Sequence, residues 1–281
     1  MDDRPIGVFD SGLGGLTVLK ELMANLPGES FVYFGDCGRI PYGSKSEETV
    51  RMFTLQNISF LMEKNVKAVV IACNTASSFG YRSAVERFDV PVFEVVSPGA
   101  RAAIQRTKSG RIGVIGTQGT ISSDVYERTI RSELARSSCS AAPSEVKVYS
   151  RACPLFVPLA EEGWWANDIA RRICEEYLHD MKSAGVDALV LGCTHYPLLA
   201  QTIGEYMGED VALITSGEVL SAEMKDFLDK NDMNSSDTEG NGTCEFYTSD
   251  SVDKFRELGE QFLGSDIANI SKMTTDQFLC E

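Results

Sequence analysis

Two short stretches place a thiol where proton transfer is feasible. ALVLGCTHYPLL, residues 188 to 199, begins as a buried strand would and then breaks into Gly192, Cys193, Thr194 and His195. AVVIACNTASS, residues 68 to 78, repeats that plan with Cys73, Asn74 and Thr75 after the apolar run. Each pattern predicts a helix start just after the thiol, where free amides and the helix dipole favour a thiolate and attract anions. His195 is one of only two histidines in the chain, and it stands close enough to Cys193 to relay a proton. Singly, each cysteine reads equally well as a small buried hydrophobe, and His195 as a ring satisfied by a backbone carbonyl. Two such arrangements in equivalent positions favour chemistry. Inverting a stereocentre by deprotonation needs one group to take a proton from one face and another to return a proton to the opposite face, whereas a hydrolase needs a single nucleophile. A matched pair of thiols therefore suits a racemase or epimerase better than a Cys–His hydrolase.

The elements that must hold these residues are short β-branched runs alternating with segments of helical period. The runs cover residues 6–9, 31–35, 68–72, 92–96, 111–116, 146–149, 188–192, 211–215 and 244–248. Leu16, Leu19, Leu22, Met23 and Leu26 recur at helical spacing before Pro27-Gly28, and a second helix is expected from near Ser46 to Lys64 with Val50, Phe53, Phe60 and Leu61 on one face. Strict alternation predicts parallel sheets with helices on both faces and ligands at the carboxyl ends of the strands. The chain also resembles itself: IGVFDSGLGG is echoed by IGVIGTQGTI at 112–121, and AVVIAC by ALVLGC. The expected fold is α/β, with two similar lobes, each a mostly parallel sheet flanked by helices, and an active site in the cleft between them. The polar stretch RSSCSAAPSE, 136–145, absorbs the insertion that separates the two halves' spacing. DKNDMNSSDTEGNGT, 229–243, reads as a surface loop, and the residues after Gly264 as a loosely attached tail.

Composition narrows the function. With 26 basic and 41 acidic residues the formal charge is −15, which argues against nucleic acid or an anionic membrane surface as a partner. No apolar run approaches the ~18 residues of a membrane span, and the first residues lack a secretory pattern, so a cytoplasmic protein is expected. The eight cysteines include no CxxC pair, which speaks against a disulfide framework or a structural zinc site. Cys139, Cys153, Cys174, Cys244 and Cys280 read as packing residues. GVFDSGLGGL invites a dinucleotide reading, but a GxGxxG begun at Gly12 would close on Thr17, and no GK[ST] follows. What survives is a glycine-rich helix start whose amides and Ser11 hydroxyl can approach a carboxylate, with Asp10 either managing a proton or capping the helix. In GDCGRIPYGSKS, 35–46, Tyr42 reads as a lid aromatic or, more simply, as a loop anchor.

VFDSGLGGLTVL, PYGSKS, ACNTAS, GVIGTQGTI, ACPLFVPL, GCTHYPLL and FYTSDSVDKFRELGEQFLG together resemble the aspartate/glutamate racemase family, its glutamate-acting members above all. The similarity runs to about Gly264. It implies two α/β lobes, the second inserted in the first: 1–97 with 212–264, then 98–211, followed by a tail at 265–281. It implies interconversion of L- and D-glutamate without cofactor or metal, the D-glutamate serving peptidoglycan, and a homodimer. Position by position, Cys73 matches the thiol that works on the D-glutamate proton and Cys193 the one that works on the L-glutamate proton. Asp10 matches the carboxylate assisting the first, His195 the imidazole assisting the second, and Glu161 a further carboxylate near the site. Ser11, Pro41, Tyr42, Gly43, Asn74, Thr75, Thr117, Thr120 and Thr194 match positions lining the substrate pocket.

The chain departs from that pattern in three places. Cys37-Gly38 replaces a small hydroxyl residue and alanine, adding a thiol open to oxidation near the pocket. Thr215 stands where relatives often carry the acid of DSGE, and the tail has no familiar counterpart. Aspartate or hydantoin racemase is the near alternative in activity. A glutamate-sensing lobe pair, or a homologue that inhibits a DNA topoisomerase, is the alternative of a different class.

Overall fold

The computed structural model describes residues 1–136 and 145–273. The chain opens with β1 (Ile6–Asp10), α1 (Leu16–Asn25), β2 (Phe31–Gly35), α2 (Glu47–Glu63), β3 (Ala68–Ile71), α3 (Asn74–Arg87) and β4 (Val92–Glu94). A middle segment continues with α4 (Val96–Arg106), β5 (Arg111–Gly116), α5 (Gln118–Ser122), α6 (Val125–Arg136), β6 (Lys147–Ala152), α7 (Phe156–Glu161), α8 (Asp168–Ser183), β7 (Ala188–Gly192), α9 (Ala200–Met207) and β8 (Ala212–Thr215). The last described elements are α10 (Ser216–Lys230), β9 (Cys244–Thr248), α11 (Val252–Leu263) and β10 (Ile270–Lys272). Two compact units result: Met1–Val95 together with the chain from Gly217 onward, and Val96–Ser216.

The first unit holds a six-stranded parallel sheet in the order β10-β9-β2-β1-β3-β4. β1, β2 and β3 are buried at every residue, as strands covered by helices on both faces must be. Ser46 caps α2 by accepting from the Thr49 amide, and Glu47 and Glu48 occupy the first turn, where the helix dipole favours acids. α11 starts under the Ser251 hydroxyl and ends at Gly264, whose φ of 80° is the left-handed conformation that closes a helix. The second unit holds a four-stranded parallel sheet in the order β6-β5-β7-β8.

Both sheets reverse their strand order at an equivalent place. β1 lies between β2 and β3, and β5 lies between β6 and β7, so the chain leaves each central strand in one direction and returns on its other side. Ligands of such sheets bind at this switch point, outside the carboxyl ends of the strands. The internal repeat read from sequence is the same feature: Gly7 pairs with Val69 in one unit and Gly113 with Leu189 in the other.

Three expectations need correction. The apolar run 92–96 is not all strand, because β4 stops at Glu94 and α4 already begins at Val96. The residues after Gly264 are not loose as far as Met273: β10 extends the sheet parallel to β9, with Ile267 and Met273 buried. The polar stretch 229–243 is not all loop: α10 runs through Lys230, and residues 231–243, which contain no helix or strand, are firmly tied at their start. Lys67, with no exposed side-chain surface, pairs with Glu29 at 2.6 Å and donates to the carbonyls of Asp2 (2.6 Å) and Met233 (2.7 Å). Cys139 and Cys280, and most of the 136–145 insertion, lie outside the described residues. Among the described residues no helix is long and apolar enough to cross a membrane.

Candidate active site

In the first unit the neighbouring exits of β1 and β3 gather Asp10, Ser11, Cys73, Asn74 and Thr75. Cys73 is the N-cap of the fourteen-residue α3, its sulfur accepting from the Ala76 amide at 3.5 Å. Its thiol also reaches the Ser11 hydroxyl at 3.6 Å. An amide donor, a hydroxyl and the positive end of a helix therefore surround this sulfur, the setting that stabilises a thiolate. Asp10 is fully buried and accepts from the Gly12 amide at 3.1 Å, which folds residues 10–12 into a tight turn rather than capping α1. Tyr33, on β2, donates to the Gly12 carbonyl at 2.9 Å and secures that turn from behind.

Pro41, Tyr42 and Gly43 come after the next strand, β2. The Tyr42 side chain is a loop anchor and not a lid: it is buried, its hydroxyl donating to Asp36 and accepting from Asn57 at 3.0 Å. Burial, and then the Asp36 charge, hold this phenol well above its ordinary pKa. Asp36 is the hub of a network that the sequence did not reveal. It accepts from Arg39 at 2.7 Å and from Ser249 at 2.8 Å, while Arg39 also reaches Asn57 at 2.7 Å. The available signal was an acid directly after a fully buried strand with an arginine one helical turn on; Asn57 and Ser249 are too distant in sequence to be paired with it. Removing the Tyr42 hydroxyl while keeping its ring, as Tyr42→Phe, is expected to cost about 1–3 kcal/mol in urea unfolding, because Asp36 and Asn57 lose a buried partner. An unchanged unfolding midpoint would contradict this.

In the second unit β5 and β7 are the neighbours. Thr117 caps α5, accepting from the Thr120 amide at 3.2 Å and donating to the Thr120 hydroxyl at 3.1 Å. Beyond β7, Cys193, Thr194 and His195 are all buried. Their local structure departs from expectation: Cys193 caps no helix, and the chain runs instead into a short 3-10 turn, Tyr196–Leu199, entered through His195. The second thiol has side-chain company in place of a helix start. His195 places Nδ1 3.9 Å from the Cys193 sulfur and Nε2 3.3 Å from Glu161 of α7, so the ring bridges thiol and carboxylate. Such an imidazole can take up or deliver a proton at the sulfur while the carboxylate orients it.

The other thiols lack such surroundings. Burial pushes Cys174 up to about 12, and pushes Cys153 and Cys244 upward as well. Cys37, expected to be open to oxidation, is likewise pushed up to about 12, first by burial and then by the charges of Asp10, Asp36 and Asp250 acting against a favourable Thr248 contact. The thiolate is the reactive form, and less than about one part in ten thousand would be present at pH 7.5. Brief iodoacetamide treatment of the native protein at that pH should leave Cys37 and Cys174 unmodified by peptide mass spectrometry. Prompt labelling of Cys37 would contradict the assignment.

A family model described as Asp/Glu/Hydantoin racemase matches residues 14–224. A glutamate racemase from Geobacter metallireducens is 44% identical over 273 residues, 97% of each chain. Among solved structures, a glutamate racemase isoform from Bacillus anthracis superposes with a TM-score of 0.89 at 38% identity, covering 97% of this chain and 98% of that one. The glutamate racemase from Francisella tularensis, solved in complex with D-glutamate, gives 0.88 at 37% identity, covering 98% and 99%. Two parallel α/β units, with a thiol at the switch point of each, thus accompany similarity along almost the entire length, and the chain belongs to the Asp/Glu/Hydantoin racemase family, among its glutamate racemases.

Proposed function

We propose that the protein interconverts L- and D-glutamate by proton transfer at Cα between two thiols, without a cofactor, and that the D-glutamate serves peptidoglycan synthesis. The observation that carries this reading is the pairing of each strand-end thiol with its own proton-handling neighbours: Ser11 and the α3 amides for Cys73, and His195 with Glu161 for Cys193. Starting from D-glutamate, the Cys73 thiolate takes the Cα proton, and the electron pair of the broken C–H bond spreads into the adjacent carboxylate. The Cys193 thiol then returns a proton to the opposite face, giving L-glutamate and a Cys193 thiolate. Asp10 assists the first sulfur and the His195–Glu161 pair the second. The enzyme is left with its protons exchanged, ready for the reverse reaction. This chemistry requires the two thiols to address opposite faces of one carbon, with Ser11, Pro41, Tyr42, Gly43, Asn74, Thr75, Thr117, Thr120 and Thr194 around the substrate. Amides and hydroxyls stabilise substrate carboxylates without neutralising the thiolates as a close lysine would. The working unit is proposed to be a homodimer; sedimentation showing only monomer at micromolar concentrations would refute that.

Incubation of the purified protein with L-glutamate in D2O tests the activity. Optical rotation should decay as deuterium enters at Cα, with aspartate unchanged. Exchange on aspartate alone would move the assignment to an aspartate racemase, and no exchange on either would leave a binding protein.

A further inference from the structure

The second unit contains a buried phenol that the proposed chemistry does not use. Tyr196 has no exposed surface and donates from its hydroxyl to the Cys153 carbonyl at 2.8 Å. Its own amide donates to the Cys193 carbonyl at 3.1 Å, which fixes the turn holding Cys193 and His195. Cys153 in turn donates its amide to the Gly116 carbonyl at 2.9 Å, immediately before Thr117. The Cys153 carbonyl also accepts from Phe156, the first residue of α7, at 3.1 Å, and the Tyr196 ring packs edge-on against Phe156 with centroids 5.2 Å apart. α7 is the helix that ends in Glu161. One hydroxyl therefore ties the turn carrying Cys193 and His195 to the turn that launches Glu161. Burial holds this phenol well above its ordinary pKa, so it remains a donor across the working range.

We infer that Tyr196 is a positioning residue for the Cys193 half of the reaction, acting through its bond to the Cys153 carbonyl to set the His195–Glu161 geometry. This rests on the proposed two-thiol reaction. A packing role alone would weaken the protein without preferring one substrate hand.

Racemisation cannot expose such a preference, since the equilibrium constant between enantiomers is one and kcat/KM must be equal in both directions. Elimination from threo-3-chloroglutamate can. A base takes the Cα proton, the Cα–Cβ double bond forms as chloride leaves, and water converts the resulting enamine to 2-oxoglutarate and ammonium, so a single base suffices. Tyr196→Phe retains the ring, and the Cys153 carbonyl keeps its Phe156 partner, so the fold should persist. Its elimination from the isomer with L configuration at Cα should fall about tenfold, while the D isomer stays within about twofold of wild type. Combined with Glu161→Gln, it should add little to the loss that the glutamate substitution alone produces, because both act on one ring. Equal losses on both isomers, no loss on either, or multiplying losses in the double variant would each overturn the inference. If Cys73→Ser and Cys193→Ser fail to divide the two isomers in the same assay, it is the two-thiol reaction that fails.

Discussion

Cys73→Ser and Cys193→Ser should each reduce glutamate racemisation by about a thousandfold or more, in both directions, while leaving the protein folded. Both side chains are 6% exposed, and serine differs from cysteine only in the chalcogen, so packing changes little. The chemical change is far larger. A hydroxyl does not ionise near neutral pH, so neither the α3 amide at Cys73 nor the His195 ring at Cys193 has an anion to stabilise. The proposed inversion uses both groups in every turnover, and loss of either should therefore stop both directions. Circular dichroism and the urea midpoint report the fold, and polarimetry the turnover. A serine variant with near wild-type turnover would exclude that sulfur as a proton carrier.

Gly15→Ala should damage both stability and turnover. Gly15 has φ −60° and ψ −14°, which any residue adopts, so the requirement for glycine is purely one of space. A Cβ at this position would stand 2.4 Å from the Asp10 Cβ and 2.8 Å from the Tyr33 hydroxyl. Neither neighbour can yield cheaply, since both are fully buried, Asp10 at the end of a central strand and Tyr33 bonded to the Gly12 carbonyl. Overpacking of this kind costs about 1–3 kcal/mol. The displaced groups are the ones that shape the turn beside Cys73, so elimination from the D isomer of chloroglutamate should fall more than from the L isomer. Wild-type stability with wild-type kinetics would show that the Asp10 turn is not held by this contact.

The Gly15 requirement also shows how much of the molecule was readable from sequence. DSGLGG was recognisable as a glycine-rich helix start that lacks the dinucleotide fingerprint, because one position decides that motif. Why Gly15 must be glycine depends on contacts that only the fold creates: Asp10, against which the turn doubles back, and Tyr33, which pairing of β1 with β2 brings alongside. The central strands were legible because they are short, largely apolar and fully buried runs, and the strand-end thiols because they interrupt such runs abruptly. β10 was missed because Ile270-Ser271-Lys272 is an edge strand with one apolar residue, too short and polar for periodicity to register. The Asn57 and Ser249 arms of the Asp36 network and the Tyr196–Cys153 bond were invisible for a different reason: partners distant in sequence are brought together only by the folded arrangement of strands and helices. The setting of Cys193 was misjudged because CTHYP looks like a helix start, whereas Pro197 lies within a 3-10 turn and α9 begins only at Ala200.

The assignment of one thiol to each hand of substrate is tested most directly by elimination of HCl from the two threo-3-chloroglutamate isomers with the serine variants. Cys73→Ser should lose elimination from the D isomer and retain it with the L isomer, and Cys193→Ser should show the reverse. Equal loss of both isomers in both variants would contradict a two-base reaction and require the sulfurs to act together on a single face.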